Sequence, residues 1–465
     1  MQTFRQQNRP DMIDIDRLYG IFKSCGKIAT DSRRISGGEL FFALRGENFD
    51  GNGYALAALE AGAAYAVVDE TSEVAAENPD NGRLIPVPDT LHALHLLARR
   101  HRDSFSIPVL GLTGTNGKTT TKELINAVLS SRFRTHATSG NLNNNIGVPL
   151  TLLSMPEDTE IAVIEMGASH PGDIRELVAV AAPDFGLITN VGKAHILGFG
   201  SFEGVKATKG ELYDFVASRP EGGTVFVNRD NPHLVEMASA RHFGPAPEGL
   251  RFNWGDAPES CGPLAVSYGL HWSGAEILPT DSAHPYLRLR LADGTEVDTR
   301  LVGGYNADNV LAALCVGHFF GVPQAEAVAA VESYVPSNNR SQMLRTERNV
   351  LIVDAYNANP SSMKAALDNF AGFDAERKTV LLGDMLELGA ESLAEHRKVV
   401  EAVAKYGFNA SYVGEEFRKA GASPVFASSS ELAEYICAHP EEFQASAILV
   451  KGSRGTRMEQ VIPVL

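Results

Sequence analysis

The sequence has no long apolar stretch and a shortage of basic residues. No run of about 18 apolar residues occurs, and a transmembrane helix requires about that length, so none is expected. The chain contains 41 Lys and Arg against 57 Asp and Glu, a formal net charge of −16. General nucleic-acid binding needs a basic surface that displaces counterions. The composition therefore excludes that class of function.

Cysteine is also scarce. Only four occur in 465 residues, without paired spacing: Cys25, Cys261, Cys315 and Cys437. This scatter excludes a disulfide scaffold or a cysteine zinc site and is typical of a reducing compartment. Residues 1–8 are polar and lack the apolar centre of a signal peptide. We therefore expect a cytoplasmic protein.

The length and the alternation of apolar strands with helices predict an α/β protein of three domains. A guide of about 150 residues per domain gives about three for this length. We predict a small N-terminal α/β domain (1–88), a central parallel-sheet domain with a phosphate loop (89–322) and a C-terminal Rossmann-like domain (323–465). Residues 321–323 follow a clear helix, and Pro323 is a plausible hinge.

Within these domains the apolar pattern predicts individual elements. Strands are expected at 39–44, 65–68, 109–112, 161–164, 185–188, 224–227, 350–353, 380–382 and 447–450. Helices are expected at 54–61, 90–101, 307–320, 362–370, 393–406 and 431–438. Alternating residues around Asp293-Gly294 predict a hairpin over 287–301. Residues 242–282 are the hardest to assign.

The strongest local motif is residues 111–120, GLTGTNGKTT, between an apolar strand and an amphipathic helix. Glycines let backbone N–H groups turn toward an anion, the helix N-terminus adds a positive dipole, and Lys118 adds a point charge. Thr119 is placed to bind Mg²⁺ through its hydroxyl. The strict Walker pattern needs glycine where Leu112 stands. An ordinary glycine-rich turn is the weaker alternative, because a lysine in the first turn opposes the dipole unless an anion is bound.

Two further side chains follow predicted strands. Glu165 ends the apolar run 161–164, where a carboxylate can bind Mg²⁺ directly or through water. A carboxylate that only caps a loop is an equally good interpretation of that segment. His195 follows the strand 185–188, and by itself it reads better as a loop histidine. Two strand-end side chains near a phosphate loop favour the metal interpretation.

Asparagines cluster in three places. Residues 141–145 carry four of them, which is typical of either a solvated loop or amide groups that face a polar substrate. Asn306 and Asn309 open a helix, where simple capping is an alternative. The run 354–360, DAYNANP, follows the first predicted strand of the third domain, at the end where open α/β sheets bind ligands.

Taken together, these motifs resemble the Mur ligases, the ATP-dependent amide-forming enzymes of peptidoglycan precursor synthesis. The similarity covers nearly the whole chain, and the loop at 113–120 shares the family's departure from the Walker spacing. Segments 30–33 and 38–46 resemble the family's UDP-binding module, so the N-terminal domain is expected to bind UDP. One departure is Asn52, where the family usually has histidine. Segments 138–149, 354–360 and 382–389 resemble the member that uses D-alanyl-D-alanine.

The resemblance implies roles for individual residues. Lys118, Lys209 and His195 would be catalytic, with Lys209 at the position of a lysine that CO₂ converts to a carbamate. The Mg²⁺ shell would comprise Thr119, Glu165, His195 and Lys209. ATP would contact Gly114, Thr115, Asn116, Gly117, Lys118, Thr119, Thr120, Asn306, Asn309, Arg340 and Asp354. Substrates would contact Ser32, Arg33, Arg45, Asn141, Asn143, Asn144, Tyr356, Asn357 and Asn359. Residues 451–454 resemble a late KGSR run of the family.

The implied activity is joining D-alanyl-D-alanine to UDP-N-acetylmuramoyl-tripeptide through an acyl phosphate, with ATP and Mg²⁺ and without a nucleic-acid or membrane-spanning partner. We expect a monomer. Three alternatives are a related ligase with another substrate, an ATP-binding scaffold without chemistry, and a phosphate-loop NTPase or kinase. The first and third would not explain the UDP-type first region together with segment 354–360. The scaffold would not need to keep Lys118, Thr119, Glu165, His195 and Lys209.

Overall fold

The computed structural model describes residues 13–46, 49–220, 222–252, 263–280, 284–337 and 340–465. Residues 1–8 and Cys261, used above, lie outside this part. The chain divides into two compact units. The first contains the described residues up to Val109 together with His136–Met166 and Glu176–Pro183. The second contains Leu110–Thr135, Gly167–Arg175 and the described residues from Asp184 to Leu465. No helix in the described ranges is long and apolar enough to cross a membrane.

The first unit begins with a small parallel sheet. Its elements are α1 (Ile15–Cys25), β1 (Ile28–Ala29), β2 (Leu40–Phe42), β3 (Arg45–Gly46), β4 (Phe49–Asp50), α2 (Ala55–Glu60), β5 (Tyr65–Asp69), α3 (Glu73–Glu77), β6 (Leu84–Val87) and α4 (Thr90–Arg102). The strands pair in the order β1-β2-β5-β6, all parallel. The strands predicted at 39–44 and 65–68 and the helices predicted at 54–61 and 90–101 are confirmed.

Small side chains bring α2 close to this sheet. Ala55 and Ala58 are fully buried and pack in one cluster with Phe41 and Val68. Alanine favours helix and lets the helix approach a sheet closely. Asp89 caps α4, since its carboxylate accepts the His92 N–H at 2.6 Å. A carboxylate at this position satisfies a backbone donor that has no partner inside the helix.

The phosphate-loop region contains β7 (Val109–Thr113), α5 (Lys118–Ser130), β8 (Thr135–Ala137), α6 (Gly147–Leu153), β9 (Ile161–Glu165), α7 (Asp173–Ala181), β10 (Phe185–Ile188), α8 (Ile196–Phe199), α9 (Phe202–Ala217), β11 (Thr224–Asn228), α10 (Pro232–Ser239), β12 (Gly244–Pro245) and β13 (Leu264–Tyr268). In the second unit β12-β13-β11-β10-β7 lie side by side and run parallel. The four strands predicted from 109 to 227 are confirmed. Their parallel direction gathers the carboxyl ends of β7 and β10 at one edge.

Next come β14 (Glu276–Ile277), β15 (Arg288–Arg290), β16 (Glu296–Asp298), α11 (Ala307–Phe319) and α12 (Gln324–Ser333). The predicted hairpin is confirmed, because β15 and β16 pair antiparallel, and β14 adds a third strand. The difficult stretch 242–282 contains β12, β13 and β14, with residues 253–262 and 281–282 outside the described part. Helix α12 packs against α5 and α11. The hinge at Pro323 stays a prediction.

The last sheet is built from β17 (Gln342–Arg345), β18 (Asn349–Asp354), α13 (Pro360–Ala371), β19 (Lys378–Gly383), α14 (Ser392–Tyr406), β20 (Asn409–Val413), α15 (Glu415–Lys419), β21 (Val425–Phe426), α16 (Ser429–Ala438) and β22 (Ser446–Lys451). The strand order is β17-β18-β22-β19-β20-β21, with only β17 antiparallel among these pairs. All six elements predicted for this region are confirmed. Two apolar clusters form its core, one containing Phe370 and Phe417, the other Ile448 and Val461.

We predict that a buried histidine makes the first unit sensitive to acid. The His101 ring is buried against Phe22 and Phe105, and this burial lowers its pKa below the usual 6.5. As pH falls below about 6.5, the unfolded chain therefore takes up a proton before the folded chain does. The free energy of unfolding then falls by up to ~1.4 kcal/mol per pH unit.

The test is urea unfolding at pH 8 and pH 5.5. His101→Phe keeps the aromatic packing, and Tyr19 keeps its contact with Ser104 at 3.2 Å. This variant should lose less stability between the two pH values than the wild type. The exposed His92 on the same helix, changed to Gln, should leave the wild-type pH dependence unaltered. An unchanged pH dependence in His101→Phe would contradict the prediction.

Candidate active site

The phosphate loop connects β7 to α5, and two of its glycines are required by the geometry. Gly114 has φ +148, and a Cβ there would lie 2.0 Å from Thr189 Oγ1. Gly117 has φ +77, is the N-cap of α5, and its Cβ would lie 2.7 Å from Asn309 Oδ1. Only glycine adopts these angles without cost and leaves the necessary space. Because neither glycine carries a side chain, the loop can lie this close to Thr189 and Asn309.

The strand end after β10 fixes the loop by hydrogen bonds. The N–H groups of Thr115 and Asn116 donate to the carbonyl and the side-chain oxygen of Asn190, each at 3.0 Å. Thr189 Oγ1 donates to the Asn116 carbonyl at 2.6 Å, and Asn190 Nδ2 donates to the same carbonyl at 3.0 Å. The Gly192 N–H donates to Thr115 Oγ1 at 3.0 Å. The sequence analysis did not single out Thr189 or Asn190, because neither belongs to a recognisable local motif.

The Lys118 side chain folds back over the loop. Its ammonium donates to the Gly114 carbonyl at 2.9 Å and to the Thr115 carbonyl at 3.1 Å. Thr119 and Thr120, in the first turn of α5, are both buried. The N-terminus of α5 and the ammonium group together suit an anion such as a polyphosphate. Lys118, Thr119 and Thr120 lie together at the start of α5. ATP binding by these residues stays a prediction.

Lys209 lies in α9 and is only 2% exposed. Among the described residues it forms no ion pair, and its Nζ lies 5.5 Å from the Phe199 ring centroid. Burial, and next the charge of Lys118, hold the pKa of Lys209 well below its usual range, against the weaker pull of Asp173 and Glu211. A neutral amine is a nucleophile, and buried lysines of this kind occur at functional sites.

His195 is the residue before α8, with left-handed backbone angles of φ 50 and ψ 35. Its Nδ1 contacts a carboxylate oxygen of Glu387, and its ring packs edge-on against Phe199, the same ring that Lys209 approaches. Burial lowers the pKa of His195 in spite of Glu387, and the charges of Lys118 and Lys209 lower it further. Glu387 lies within the segment 382–389 but was assigned no role from sequence.

In the first unit, Glu165 is fully buried at the end of β9. Its carboxylate accepts from Asn143 Nδ2 at 2.7 Å, and its N–H donates to Thr138 Oγ1 at 2.9 Å. Asn144 instead caps a turn, since its side-chain oxygen accepts the Gly147 N–H at 2.8 Å. Asn141 is exposed. The asparagine cluster thus combines a carboxylate-orienting residue with a capping residue.

Asn306 and Asn309 form a buried network with Thr121 and Ser341. Thr121 Oγ1 donates to Asn309 Oδ1 at 2.9 Å, and Asn309 Nδ2 donates to Asn306 Oδ1 at 2.9 Å. Asn306 Nδ2 donates to the Val302 carbonyl at 2.8 Å and to Ser341 Oγ at 3.2 Å. These bonds link α5 to the residue next to Arg340. The adenine contacts of both asparagines stay a prediction.

The carboxyl ends of β18 and β22 carry the remaining predicted residues of the C-terminal region. Lys451 is buried and pairs with the Asp354 carboxylate at 2.5 Å, and it also donates to the Asn357 carbonyl at 3.2 Å. Asn359 caps α13 and donates to Asn116 Oδ1 of the phosphate loop at 2.7 Å. This last contact joins the C-terminal segment 354–360 to the loop.

Two arginines approach the Tyr356 ring. The Arg340 guanidinium carbon lies 3.5 Å from the ring centroid and that of Arg454 lies 5.4 Å from it. Arg454 Nη1 donates to the Tyr356 hydroxyl at 3.2 Å. Neither arginine forms an ion pair with a carboxylate in the part of the chain that the structure describes. Stacked guanidinium groups without an acidic partner are suited to bind a phosphate or a carboxylate.

The predicted residues of the N-terminal region are held differently. The Arg33 side chain donates two hydrogen bonds to the Asp31 carboxylate at 2.9 Å. These bonds, together with one from the Arg33 backbone N–H, lower the pKa of Asp31 to about 2. Ser32 begins the short 3₁₀ turn that follows Asp31. Arg45 Nε lies 3.2 Å from Asp50 and 3.0 Å from Asp69.

Asn52, the departure from the family pattern, is buried at the same turn. Its Nδ2 donates to Asp50 at 2.7 Å and to Asp69 at 2.9 Å, and its Oδ1 accepts the Asp69 N–H at 2.9 Å. All these contacts lie within the turn that follows β4 and the end of β5. The amide therefore stabilises the local fold where histidine is usual.

Mg²⁺ is the metal that the family resemblance implies. No group of three or more His, Cys, Asp or Glu side chains that could hold a metal occurs in the described ranges. Mg²⁺ is usually bound by few protein oxygens together with substrate phosphates and waters. The buried Thr119 hydroxyl in the first turn of α5 is a donor of that kind, and so, within the first unit, is the anchored Glu165 carboxylate. By its chemistry, each of these groups fits a magnesium ion that arrives with a nucleotide.

These features define a class of protein, an α/β enzyme that binds a nucleotide phosphate at the carboxyl ends of parallel strands. Comparison with known families is more specific. Residues 112–317 match the Mur ligase middle domain, residues 339–454 match the Mur ligase glutamate ligase domain, and residues 26–102 match the Mur ligase family catalytic domain. The chain belongs to the Mur ligase family.

Curated relatives cover nearly the whole chain. The UDP-N-acetylmuramoyl-tripeptide–D-alanyl-D-alanine ligase of Bacillus subtilis is 33% identical over 94% of this chain and 92% of its own length. The enzyme of that name from Escherichia coli is 33% identical over 96% of this chain and 95% of its own length.

Solved structures agree in fold. The structure of MurF from Acinetobacter baumannii superposes with a TM-score of 0.79 at 28% identity, covering 94% of this chain and 92% of that one. The MurF ligase from Thermotoga maritima, in complex with ADP, gives 0.78 at 23% identity over 97% and 98% of the two chains. The three-domain α/β architecture expected from the sequence is therefore confirmed.

We predict that Gly117→Ala weakens ADP binding about tenfold, because the unliganded loop relaxes away from the left-handed angle, which costs alanine roughly 1–2 kcal/mol, and ADP binding has to restore that angle; about 1.4 kcal/mol corresponds to tenfold. The new methyl group would also displace Asn309. Isothermal titration with ADP measures the effect, and a thermal unfolding curve establishes that the variant is folded. Gly20→Ala in α1, where a Cβ meets nothing within 4 Å, is the matched control. Unaltered ADP affinity in Gly117→Ala would contradict the prediction.

Proposed function

We propose that this chain joins D-alanyl-D-alanine to UDP-N-acetylmuramoyl-tripeptide with hydrolysis of ATP to ADP and phosphate, supplying a precursor of the cell wall. The observation that carries the proposal is the contact of Asn359 with Asn116, which connects segment 354–360 to the phosphate loop. A ligase needs an acceptor-binding region beside the nucleotide, and this contact supports such an arrangement. The relatives from B. subtilis and E. coli are named for this reaction.

ATP is required because a carboxylate is a poor electrophile. A carboxylate oxygen of the tripeptide attacks the γ-phosphorus, the bond from that phosphorus to the bridging oxygen of ADP breaks, and an acyl phosphate forms. The free amine of D-alanyl-D-alanine then attacks the acyl carbon, loses a proton, and expels phosphate as the amide forms. Lys118 and the N-terminus of α5 stabilise the negative charge that develops on the transferring phosphoryl group.

Thr119, Glu165 and His195 are the residues that would hold Mg²⁺. When bound, Mg²⁺ neutralises phosphate charge and orients the phosphoryl group for transfer. The fixed carboxylate of Glu165 and the buried hydroxyl of Thr119 support this assignment.

Lys209 is proposed to react with CO₂. Its neutral amine forms an N–C bond to CO₂ and releases one proton, which leaves an anionic carbamate close to Lys118. A buried lysine would then carry negative rather than positive charge, and it would add an oxygen donor for Mg²⁺. The low pKa of this amine and its lack of an ion pair among the described residues support the assignment.

The other predicted contacts follow the domains. The UDP end of the tripeptide substrate is assigned to Ser32, Arg33 and Arg45, and its peptide end to Asn141, Asn143 and Asn144. Nucleotide contacts from the C-terminal region are assigned to Arg340 and Asp354, and acceptor contacts to Tyr356, Asn357 and Asn359. UDP-linked precursors and ATP are cytoplasmic compounds, so we infer a cytoplasmic enzyme. We expect it to act as a monomer.

The reaction is tested by phosphate release with ATP and Mg²⁺. We expect release only when UDP-N-acetylmuramoyl-tripeptide and D-alanyl-D-alanine are both present. Lys118→Ala should abolish release and keep the fold, because Lys118 supplies charge at the phosphoryl group. Lys364→Ala, an exposed lysine in α13, is the matched control. Release with neither substrate would mean a plain ATPase, and no release from a folded sample that binds ATP would favour a scaffold or another acceptor.

The carbamate is tested separately with ¹³C-labelled bicarbonate. We expect a carbamate carbon resonance in the wild type that is absent from Lys209→Ala, and lower activity in CO₂-depleted buffer that returns when bicarbonate is added. Carbamate formation needs the neutral amine, so the low pKa should allow the resonance to persist at neutral pH. Lys206→Ala, one turn earlier in α9, should retain the resonance. Identical spectra from wild type and Lys209→Ala would contradict the assignment.

A further inference from the structure

A side-chain contact near the phosphate loop joins two residues that both have left-handed backbones. His195 has φ 50 and Glu387 has φ 65, and neither is glycine. Such angles cost free energy in residues with a Cβ, and they persist where the surrounding structure requires them. His195 Nδ1 contacts Glu387 Oε2. The backbone therefore takes a left-handed conformation at both residues whose side chains meet.

The contact of His195 with Glu387 belongs to a larger contact between the segment after β10 and the segment after β19. Lys193 Nζ lies 2.9 Å from a Glu391 carboxylate oxygen and 3.8 Å from one of Glu395. A Cβ built on Gly389 would lie 3.3 Å from Leu197 Cδ1. His195 is thus the middle residue of segment 193–197, which lies along segment 387–395. Glu387 is 60% exposed, so burial of its side chain does not explain the strained backbone.

We propose that Glu387 is a positioning residue for His195: it accepts the Nδ1–H of the imidazole and leaves the lone pair on Nε2 as the donor to the Mg²⁺ that accompanies ATP. The inference rests on the proposed function, since it takes His195 as a metal ligand.

The chemistry of imidazole explains why such a partner is needed. A neutral imidazole carries one N–H and one lone pair, and the hydrogen bond at one nitrogen decides which nitrogen keeps the lone pair. Metal-binding histidines usually donate their other N–H to a carboxylate or carbonyl, which also fixes the ring orientation. No hydrogen bond to His195 Nε2 is formed by the described residues. Glu387 is therefore the acceptor for the Nδ1–H, and Nε2 keeps the lone pair that can bind a metal.

Glu387 and His195 lie in parts of the chain that match different domains of the family. His195 lies in the part that matches the Mur ligase middle domain, and Glu387 lies in the part that matches the glutamate ligase domain. The imidazole is therefore oriented only while these two parts are in contact. Tight metal binding by the nucleotide site then depends on the arrangement in which the acceptor-binding region is also close to the nucleotide.

The test uses four full-length variants. Glu387→Gly removes the carboxylate and suits the left-handed backbone, so it adds no strain. Glu387→Gln keeps an oxygen that can accept the Nδ1–H and removes only the charge. Glu391→Ala breaks a neighbouring contact with Lys193 and does not touch His195, which makes it the matched control. His195→Ala defines the complete loss of the imidazole.

Mn²⁺ replaces Mg²⁺ in the measurement, and the β,γ-methylene analogue of ATP replaces ATP. Binding is measured from the electron paramagnetic resonance signal of the Mn²⁺ that stays free. We expect Glu387→Gly to weaken Mn²⁺ binding by about 10–100-fold, the usual effect of removing such a partner. Glu387→Gln and Glu391→Ala should bind close to wild type. Pulsed spectra should show nitrogen coupled to Mn²⁺ in the wild type and in Glu387→Gln, and lose it in Glu387→Gly and His195→Ala.

Two results would overturn the positioning role. One is wild-type Mn²⁺ affinity with retained nitrogen coupling in Glu387→Gly. The other is an equal loss in Glu391→Ala, which would mean that general contact between the two segments matters rather than the imidazole. Phosphate release by the wild type with both substrates is measured in parallel. Failure of that assay overturns the proposed function, whereas Mn²⁺ results decide the role of Glu387.

Discussion

Burial of Lys209 near Lys118 is the electrostatic constraint on which the candidate site depends. Two ammonium groups in a poorly hydrated region repel each other, and the energy of this repulsion rises as the local dielectric constant falls. The fold tolerates the arrangement because Lys209 can be neutral and because the loop is built to receive phosphate. A chain with a net charge of −16 thus places the positive charge of Lys118 at the loop that we propose binds an anionic nucleotide.

The loop is held by neighbouring segments as well as by its own Lys118. Thr189 and Asn190 fix its backbone from the end of β10, and Asn309 occupies the space that a side chain at Gly117 would need. The Asn309–Asn306–Ser341 hydrogen bonds continue to the residue beside Arg340. A shift of the loop would therefore disturb the start of the C-terminal region. This buried network is satisfied at each step, and such networks rigidify the structure around them.

The sequence predicted much of this fold because the strong signals were local. Runs such as 161–164 and 447–450 are apolar, bounded by polar residues, and long enough only for buried strands. The same reasoning did not find β17 or β20. Strand β17 has three partly buried residues and an exposed Arg345, and β20 begins with the exposed Asn409, so neither gives a continuous apolar run. Their strand character comes from pairing with β18 and β19.

For the candidate site, the sequence determined the chemistry of the parts: a glycine-rich loop before a helix, a lysine in its first turn, and polar residues after apolar strands. These depend on neighbours in the chain, so a linear pattern contains them. The tertiary structure decided that Asn359 reaches Asn116, that Lys209 is buried, and that Glu387 meets His195. Those features join residues up to 243 positions apart, as in the Asn116–Asn359 contact. Burial and contact at that separation follow from how sheets and helices pack, which no local pattern of residues specifies.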